Sequence, residues 1–528
     1  MFWTNKINLM SRLFTITTAI ILITAGCKKN DVAPGTSIIP VDLSIPAESI
    51  KLDPYGYTPL SAIVNFSSIV VGKTVIIVTG KHGPDTDIKH VFDDNGLDHS
   101  VEVIGLYANY LNTVNIRLIN NTGDTVAKTT IKIQTGALPP NLPTSIETDI
   151  LLNDLVEKGL KLVSNFSSDN PHIPLLIDNY GDIRWVLDYT THPLLNHLYY
   201  DDGIRRLRNG NFFFGDTWTN KFYEIDLCGK ILNMWDLNKT GYIFHHDINE
   251  KPDGNFIVSV SKKGSIRDDG SPSVEDYIVE IDRLSGNIKT VWDLKELLDQ
   301  SRFVLTNDKY DWIHVNAVLY DSTDNTIIVS GRLQGVIKLT FDNKIKWILS
   351  PHRGWRTNGR GEDLNQYLLT PLAADGTPIT DTAIVNGAIN HPDFEWCWHQ
   401  HSTIQIPNGN LMLFDNGTVR NYNPAGAKYS RAVEYKIDPV NMTIQQKWQY
   451  GKERGLETYS RIISSVQFLP NTNHVLFCPG YLVPNSKGRG GKVVEVDYAT
   501  REVILQLSIS TAAGTGFHRA KCVTAYPE

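Results

Sequence analysis

The sequence predicts an all-β protein, a six-bladed β-propeller preceded by a small N-terminal β-sandwich. Three observations carry that expectation. Beyond a proline cluster near residue 140, a unit of short strands, hairpin turns and a closing tryptophan recurs. Ahead of that cluster, alternating apolar and polar segments are separated by turns containing Gly and Asn. Tryptophan and tyrosine are plentiful, 11 and 22, which fits β-rich structure with aromatic-lined clefts. At 528 residues, 41% of them hydrophobic, the chain can bury a large core and is too long for one ordinary domain.

The first segment, residues 1–27, reads as a lipoprotein signal peptide. Lys6 and Arg12 precede an apolar run from Leu13 to Thr24, and the stretch ends in Thr24-Ala25-Gly26-Cys27. The run is too short to span a membrane comfortably. The small-small-Cys ending looks like a bacterial lipobox, so Cys27 is expected to carry lipid and to anchor an exported protein, on the periplasmic face or the cell surface. Residues 28–36 form a polar tether. Residues 37–138 contain strand-like segments such as Ser61-Ala62-Ile63-Val64-Asn65-Phe66 and form the sandwich. Residues 139–150, with Pro139, Pro140 and Pro143, read as a stiff linker.

Residues 151–528 form the propeller. One unit runs Asn209-Gly210-Asn211-Phe212, Tyr223-Glu224-Ile225-Asp226 and Trp235-Asp236; the next runs Asp253-Gly254-Asn255-Phe256, Val279-Glu280-Ile281-Asp282 and Trp292-Asp293. Later units carry Ile337-Lys338-Leu339 with Trp347, Asn408-Gly409-Asn410 with Glu434 and Trp448, and Val494-Glu495-Val496-Asp497. With Gly181-Asp182-Ile183-Arg184-Trp185 upstream, the units count to about six blades.

Three histidine clusters occupy the same place in successive units: Phe244-His245-His246-Asp247, Trp312-Ile313-His314-Val315-Asn316 and Trp398-His399-Gln400-His401. The innermost strand of each blade is expected to begin near its Gly-Asn turn, and each cluster is expected just before such a strand, facing one axial funnel. Converging imidazoles point to acid/base, nucleophilic or metal chemistry. For a metal site, only Asp247 offers a carboxylate in an evident ligand position. Arg332 is expected to point into the same funnel, where a guanidinium repels a divalent cation and, beside histidines, makes an anion site. No metal ligand set is therefore assigned. Asn316 adds an amide donor, and Ser464 or Ser465 a hydroxyl. His245 and His399 fit a scaffolding role. Phe244, Trp312 and Trp398 serve either to stack on an aryl group or to pack the blades.

The net charge of −7 gives no support for nucleic-acid binding. After Cys27, the cysteines are Cys228, Cys397, Cys478 and Cys522; no spacing suggests structural zinc, and buried free thiols are expected.

Pro59-Leu60-Ser61-Ala62, Gly105-Leu106-Tyr107, Asn112-Thr113-Val114 and Thr135-Gly136-Ala137-Leu138-Pro139 in the sandwich stand in order with His246-Asp247, Trp312-x-His314-x-Asn316, Arg332, Gln400-His401 and Phe414-Asp415-Asn416-Gly417 in the propeller. On these motifs the chain resembles the bacterial aryl-sulfate sulfotransferases of the cofactor-independent propeller type. The resemblance implies that His401 is the nucleophile, with His246, His314 and Arg332 as catalytic partners and Asn316 and Ser465 (in preference to Ser464) as substrate-binding residues. It further implies a phenolic sulfate donor, a phenolic acceptor, a sulfohistidine intermediate with ping-pong kinetics, no cofactor, and a homodimer. The disulfide that the family carries near its site is not evident here. Two other readings stay open: a hydrolase that uses the same histidine, and a non-catalytic ligand-binding propeller.

Overall fold

The computed structural model describes residues 38–166, 171–201, 203–512 and 515–527. The signal-peptide and tether readings, Cys27 included, lie outside the described residues. No helix among those described is long and apolar enough to cross a membrane.

The N-terminal strands form two layers that share one long strand, Ala62–Val78. Its first half pairs with Ile50–Leu52 and Gly96–Val103; its second half pairs with Ile88–Val91 and Leu111–Ile119. Alternate residues Ala62, Val64 and Phe66 point inward, so the period-2 pattern buries one face of each layer. The sequence markers of this domain are structural. Asn112 receives the backbone N–H of Tyr107 at 2.8 Å and donates to the carbonyls of Tyr107 and Tyr110 at 3.0 Å. The Arg184 guanidinium of the propeller lies 3.8 Å from the centre of the Tyr107 ring and donates to Gly105 O at 2.9 Å. These bonds, and that of the Tyr526 hydroxyl to Glu102 O, dock the sandwich on the propeller.

Six sheets follow, each a blade. The innermost strands are Gly516–Val523, Arg205–Arg206, Tyr242–Glu250, Val315–Asp321, His401–Gln405 and Ser465–Leu469 for blades one to six. The ring closes at both chain ends. The C-terminal strand Gly516–Val523 completes blade one, and Ser145–Leu151 forms the outer strand of blade six. Residues 145–150, which the sequence reads as linker, are thus blade structure: their backbone pairs with Gln506–Ser510, and the linker proper ends near Thr144.

The repeated residues have physical reasons. Both asparagines of the Asn-Gly-Asn turn donate to a glutamate two strands away, Asn209 and Asn211 to Glu224 and Asn408 and Asn410 to Glu434. Those glutamates are buried, and burial of a carboxylate requires such partners. The closing tryptophans latch blade to blade. The indole N–H groups of Trp185, Trp235, Trp292 and Trp448 donate to the carbonyls of Leu227, Arg283, Thr340 and Tyr498 in the following blade, at 2.7–2.9 Å.

One expectation needs correction. The Gly-Asn turns open the second strand of each blade, not the innermost. His246 therefore lies within an innermost strand, His401 begins one, and His314 immediately precedes one. The turn joins strands one and two, and the periodicity does not show on which side of it the axis lies.

Candidate active site

The inner strands of four blades break register at one level. Pairing is interrupted between Phe244 and Ile248, Val315 and Ala317, His401 and Ile404, and Phe517 and Ala520. Such bulges re-aim side chains that a regular pleat would send up or down the blade face. His246, His314 and Ser402 take positive φ, 49°, 53° and 52°, conformations that non-glycine residues adopt only where the surroundings enforce them. The outcome is an axial cavity of about 190 Å³ lined by Asp201, His246, His314, Asn316, Arg332, His401, Ile462, Ile463, Ser464, His518 and Arg519. A larger cavity of about 620 Å³ lies where the sandwich meets the propeller, but it does not gather converging histidines, so chemistry rather than volume selects the axial one.

His401 is 8% exposed. Its Nδ1 lies 2.7 Å from Asn416 Oδ1 and 3.1 Å from His399 O, both acceptors, so the proton resides on Nδ1 and Nε2 keeps a lone pair. The Asn416 amide is itself oriented, because its Nδ2 donates to Ser460 O and Ile463 O. Gly417 makes the turn possible: its φ is +73°, and a Cβ there would lie 2.2 Å from Tyr429 O. Burial first, and the Arg332 guanidinium second, hold the His401 pKa well below its usual value, so the ring is neutral at neutral pH.

Arg332 follows the second strand of blade four. Its Nε is buried without a hydrogen-bond partner, and among the described residues it makes no ion pair within 4 Å. Burial lowers its pKa, with Arg461 acting in the same sense, while Asp311 and Glu275 oppose. A cavity-lining guanidinium without a carboxylate in contact has donors to give an anion.

His246 and His314 meet through their Nε2 atoms at 3.1 Å. His246 Nδ1 lies 2.6 Å from Asp201 Oδ2; His314 Nδ1 lies 2.6 Å from Asp311 Oδ2 and 2.9 Å from Glu275 Oε2. Burial opposes protonation of His314, but the two carboxylates outweigh it and raise its pKa. Burial would likewise raise Asp201, yet His246 holds it well below the carboxylate range. In two groups, Glu275-Asp311-His314 and His245-His246-Glu275, one nitrogen or oxygen of each residue lies within 4.8 Å of the others, and no metal ligand set is assigned to either. In the first, the histidine Nδ1 proton already bonds Asp311.

The other sequence-derived residues divide as follows. Asn316 lines the cavity, but its Nδ2 donates to Gln400 O at 2.7 Å. Ser465 does not line it; its Oγ bonds the backbone of Ala520 at 3.1 Å. Ser464 does line it, because Ile463 and Ser464 at positive φ turn the chain inward, although its Oγ bonds Ser460 Oγ at 2.9 Å. Ser465 is the first residue of its strand, and strand alternation sends its side chain away from the axis. Asp247 accepts the Val318 N–H at 2.9 Å and pairs with Arg205 and Arg519, tying blades together. His245 and His399 are buried, no side chain among the described residues hydrogen-bonds their ring nitrogens, and burial lowers their pKa values to about 4 and about 3. Phe244, Trp312 and Trp398 are buried blade packing; Phe244 meets Phe222, and Trp398 meets Tyr422, edge to face. All four cysteines among the described residues are free and buried.

Sequence reasoning missed Asp201, Glu275, Asp311, His518 and Arg519. For His518 a signal existed: the closing strand reads Phe517-His518-Arg519, an aromatic-His pair like Phe244-His245. For Asp201 and Glu275 there was none, because they come from loops whose positions only the folded ring defines; Asp311 lies only three residues before His314, and nothing in the strand repeat marks it.

A ring of bulged inner strands that holds a neutral histidine beside an uncompensated arginine and a carboxylate-backed histidine pair defines a propeller enzyme of group-transfer type. The chain belongs to the arylsulfotransferase family. Residues 152–519 match Arylsulfotransferase (ASST), and residues 49–136 match the Arylsulfotransferase Ig-like domain. It is a transferase of the aryl-sulfate sulfotransferase class. Similar proteins include "Arylsulfate sulfotransferase AssT" of Escherichia coli O6:H1, 29% identical over 87% of this chain and 90% of that protein. The protein of the same name from Lelliottia amnigena is 28% identical over the same shares. Among solved structures, a Bacteroides caccae protein of unknown function aligns with a TM-score of 0.41 and 11% identity, over 69% of this chain and 98% of that one.

Proposed function

We propose that the enzyme moves a sulfuryl group from a phenolic sulfate ester to a phenolic acceptor through a sulfohistidine on His401. The observation that carries this reading is the His401 tautomer: with Nδ1–H bound to Asn416, the free Nε2 lone pair lines the cavity that Arg332 also lines. In the first half-reaction Nε2 attacks sulfur, the S–O bond to the aryl group breaks, and the phenolate leaves. Arg332 neutralises charge on the sulfuryl oxygens as the transition state forms. Acid catalysis by the His246–His314 pair supplies the proton to the phenolate. In the second half-reaction the acceptor phenol loses its proton to the pair, its oxygen attacks sulfur, and neutral His401 is restored. No cofactor enters either step. The lipobox supports an exported enzyme tethered by lipid on Cys27, at the periplasmic face or the cell surface, and the family resemblance extends to a homodimer. Incorporation of radiolabelled lipid into the wild type and not into Cys27→Ala is the expected result, and equal labelling of both would contradict the anchor.

The function is tested with 4-nitrophenyl sulfate, with and without phenol. Nitrophenol release that depends on phenol, with phenyl sulfate formed in equal amount, is the expected result. Equal release without phenol would make the enzyme a hydrolase, and no release under either condition would leave a binding propeller.

A further inference from the structure

We propose that His246 and His314 act as one acid/base unit that carries a single proton between their Nε2 atoms, with Asp201, Asp311 and Glu275 as the positioning residues that keep it there. The proposal deepens the sulfuryl-transfer reading and rests on it.

The proton count follows from the contacts. Carboxylates only accept at neutral pH, so each Nδ1 that lies 2.6 Å from one must carry hydrogen. With both Nδ1 positions protonated, neutral rings would present two lone pairs to one another across 3.1 Å. That contact is repulsive; one proton on either Nε2 turns it into a charge-assisted hydrogen bond. The rings stand nearly perpendicular, at 81°, with centroids 4.8 Å apart. The pair therefore bears one positive charge, shared by two residues from neighbouring blades.

Three carboxylates stand behind that one charge. Glu275 is the least explained by packing alone: its Oε2 is buried and faces His314 Nδ1 at 2.9 Å, although that nitrogen lies nearer Asp311, at 2.6 Å. Its backbone takes φ +56°, so the chain is strained to place it there. On the cavity side the pair faces Arg332, His401 and His518. The cationic Arg332 disfavours a second proton on the pair, and the carboxylates disfavour the loss of the first. Either Nε2 can then deliver the proton to the departing phenolate oxygen as the S–O bond breaks. The pair is left neutral, with two opposed lone pairs, and takes the acceptor phenol's proton as the new S–O bond forms and the N–S bond breaks.

The test compares donors that need the proton with donors that do not. The kcat/KM values of the wild type, Asp201→Asn, Glu275→Gln and Asp201→Glu are measured for 4-nitrophenyl sulfate and for 4-methylphenyl sulfate. Nitrophenolate leaves readily without protonation, whereas 4-methylphenolate, with a phenol of pKa about 10, does not. Asp201→Asn and Glu275→Gln are expected to lose at least about tenfold more on the methylphenyl donor than on the nitrophenyl donor, and Asp201→Glu to restore most of that ratio. The ratio is internal to each preparation, so partial misfolding cannot create it. Equal losses on both donors, or no loss on either, would overturn the proposal while leaving the transfer reading intact. A wild type that releases neither phenol would sink both.

Discussion

Asn416 Oδ1 lies 2.7 Å from His401 Nδ1 and fixes the ring so that its unprotonated nitrogen is Nε2. The relationship spans one hairpin: His401 opens the innermost strand of blade five and Asn416 ends the return strand. An amide is well suited here. A carboxylate would favour the imidazolium, which cannot attack, whereas an amide orients the ring without adding charge.

Replacement of Asn416 by Ala is therefore expected to reduce kcat by roughly 10²-fold or more with little change in KM, because the wrong tautomer presents N–H to the sulfur. Steady-state kinetics on 4-nitrophenyl sulfate check this. A loss confined to KM would place Asn416 in substrate binding instead.

Arg332→Ala removes the cavity-lining guanidinium that has no carboxylate in contact. The expected loss in kcat/KM is about 10²–10³-fold, the usual cost of a missing donor at developing negative charge. Arg332→Lys is expected to recover only a minor part, since an ammonium cannot reproduce the planar fork. Wild-type rates in either variant would contradict the role.

Stability is expected to fall steeply in mild acid. His245, His399 and His518 have pKa values lowered by burial to about 4, 3 and 3 in the folded state, against an unfolded value near 6.5. The unfolded chain thus binds protons that the folded chain refuses, so stability present above pH 6.5 is lost as pH falls toward 4. The limit is about 1.4 kcal/mol per pH unit per group. His314, with a raised pKa, contributes in the opposite sense at higher pH. Thermal unfolding of the wild type and His399→Phe from pH 7 to pH 4 tests this; the variant should show a shallower decline.

Trp292→Phe deletes the indole N–H bond to Thr340 O but keeps most of the packing. A loss of about 1 kcal/mol is expected, visible as a lower denaturant midpoint with activity unchanged. A neutral effect would mean that packing alone holds blades three and four together.

Much of this architecture was legible because it is periodic. Glu224, Glu280 and Glu434 recur with their turn asparagines and closing tryptophans, and the repeat gave the blade number directly. His246, His314, Arg332 and His401 were legible for a related reason, since equivalent positions in a ring converge on its axis. What sequence could not show was the set of local exceptions. The bulges that aim His246 and His518 inward are departures from the repeat, and the choice between Ser464 and Ser465 turns on one residue of strand phase. Asp201, Asp311 and Glu275 come from loops outside the repeated strands. Asp201 and Glu275 become partners of His246 and His314 only once neighbouring blades are placed side by side, whereas Asp311 reaches His314 from three residues away in the same loop.

Intact mass measurement of the enzyme mixed with 4-nitrophenyl sulfate in the absence of any phenolic acceptor tests the central claim most directly. The account predicts one added sulfuryl group per chain, localised to the peptide that contains His401, discharged on addition of phenol and absent in His401→Ala. A wild type that releases nitrophenol while its mass stays unchanged, or a His401→Ala variant that still acquires the group, would contradict it.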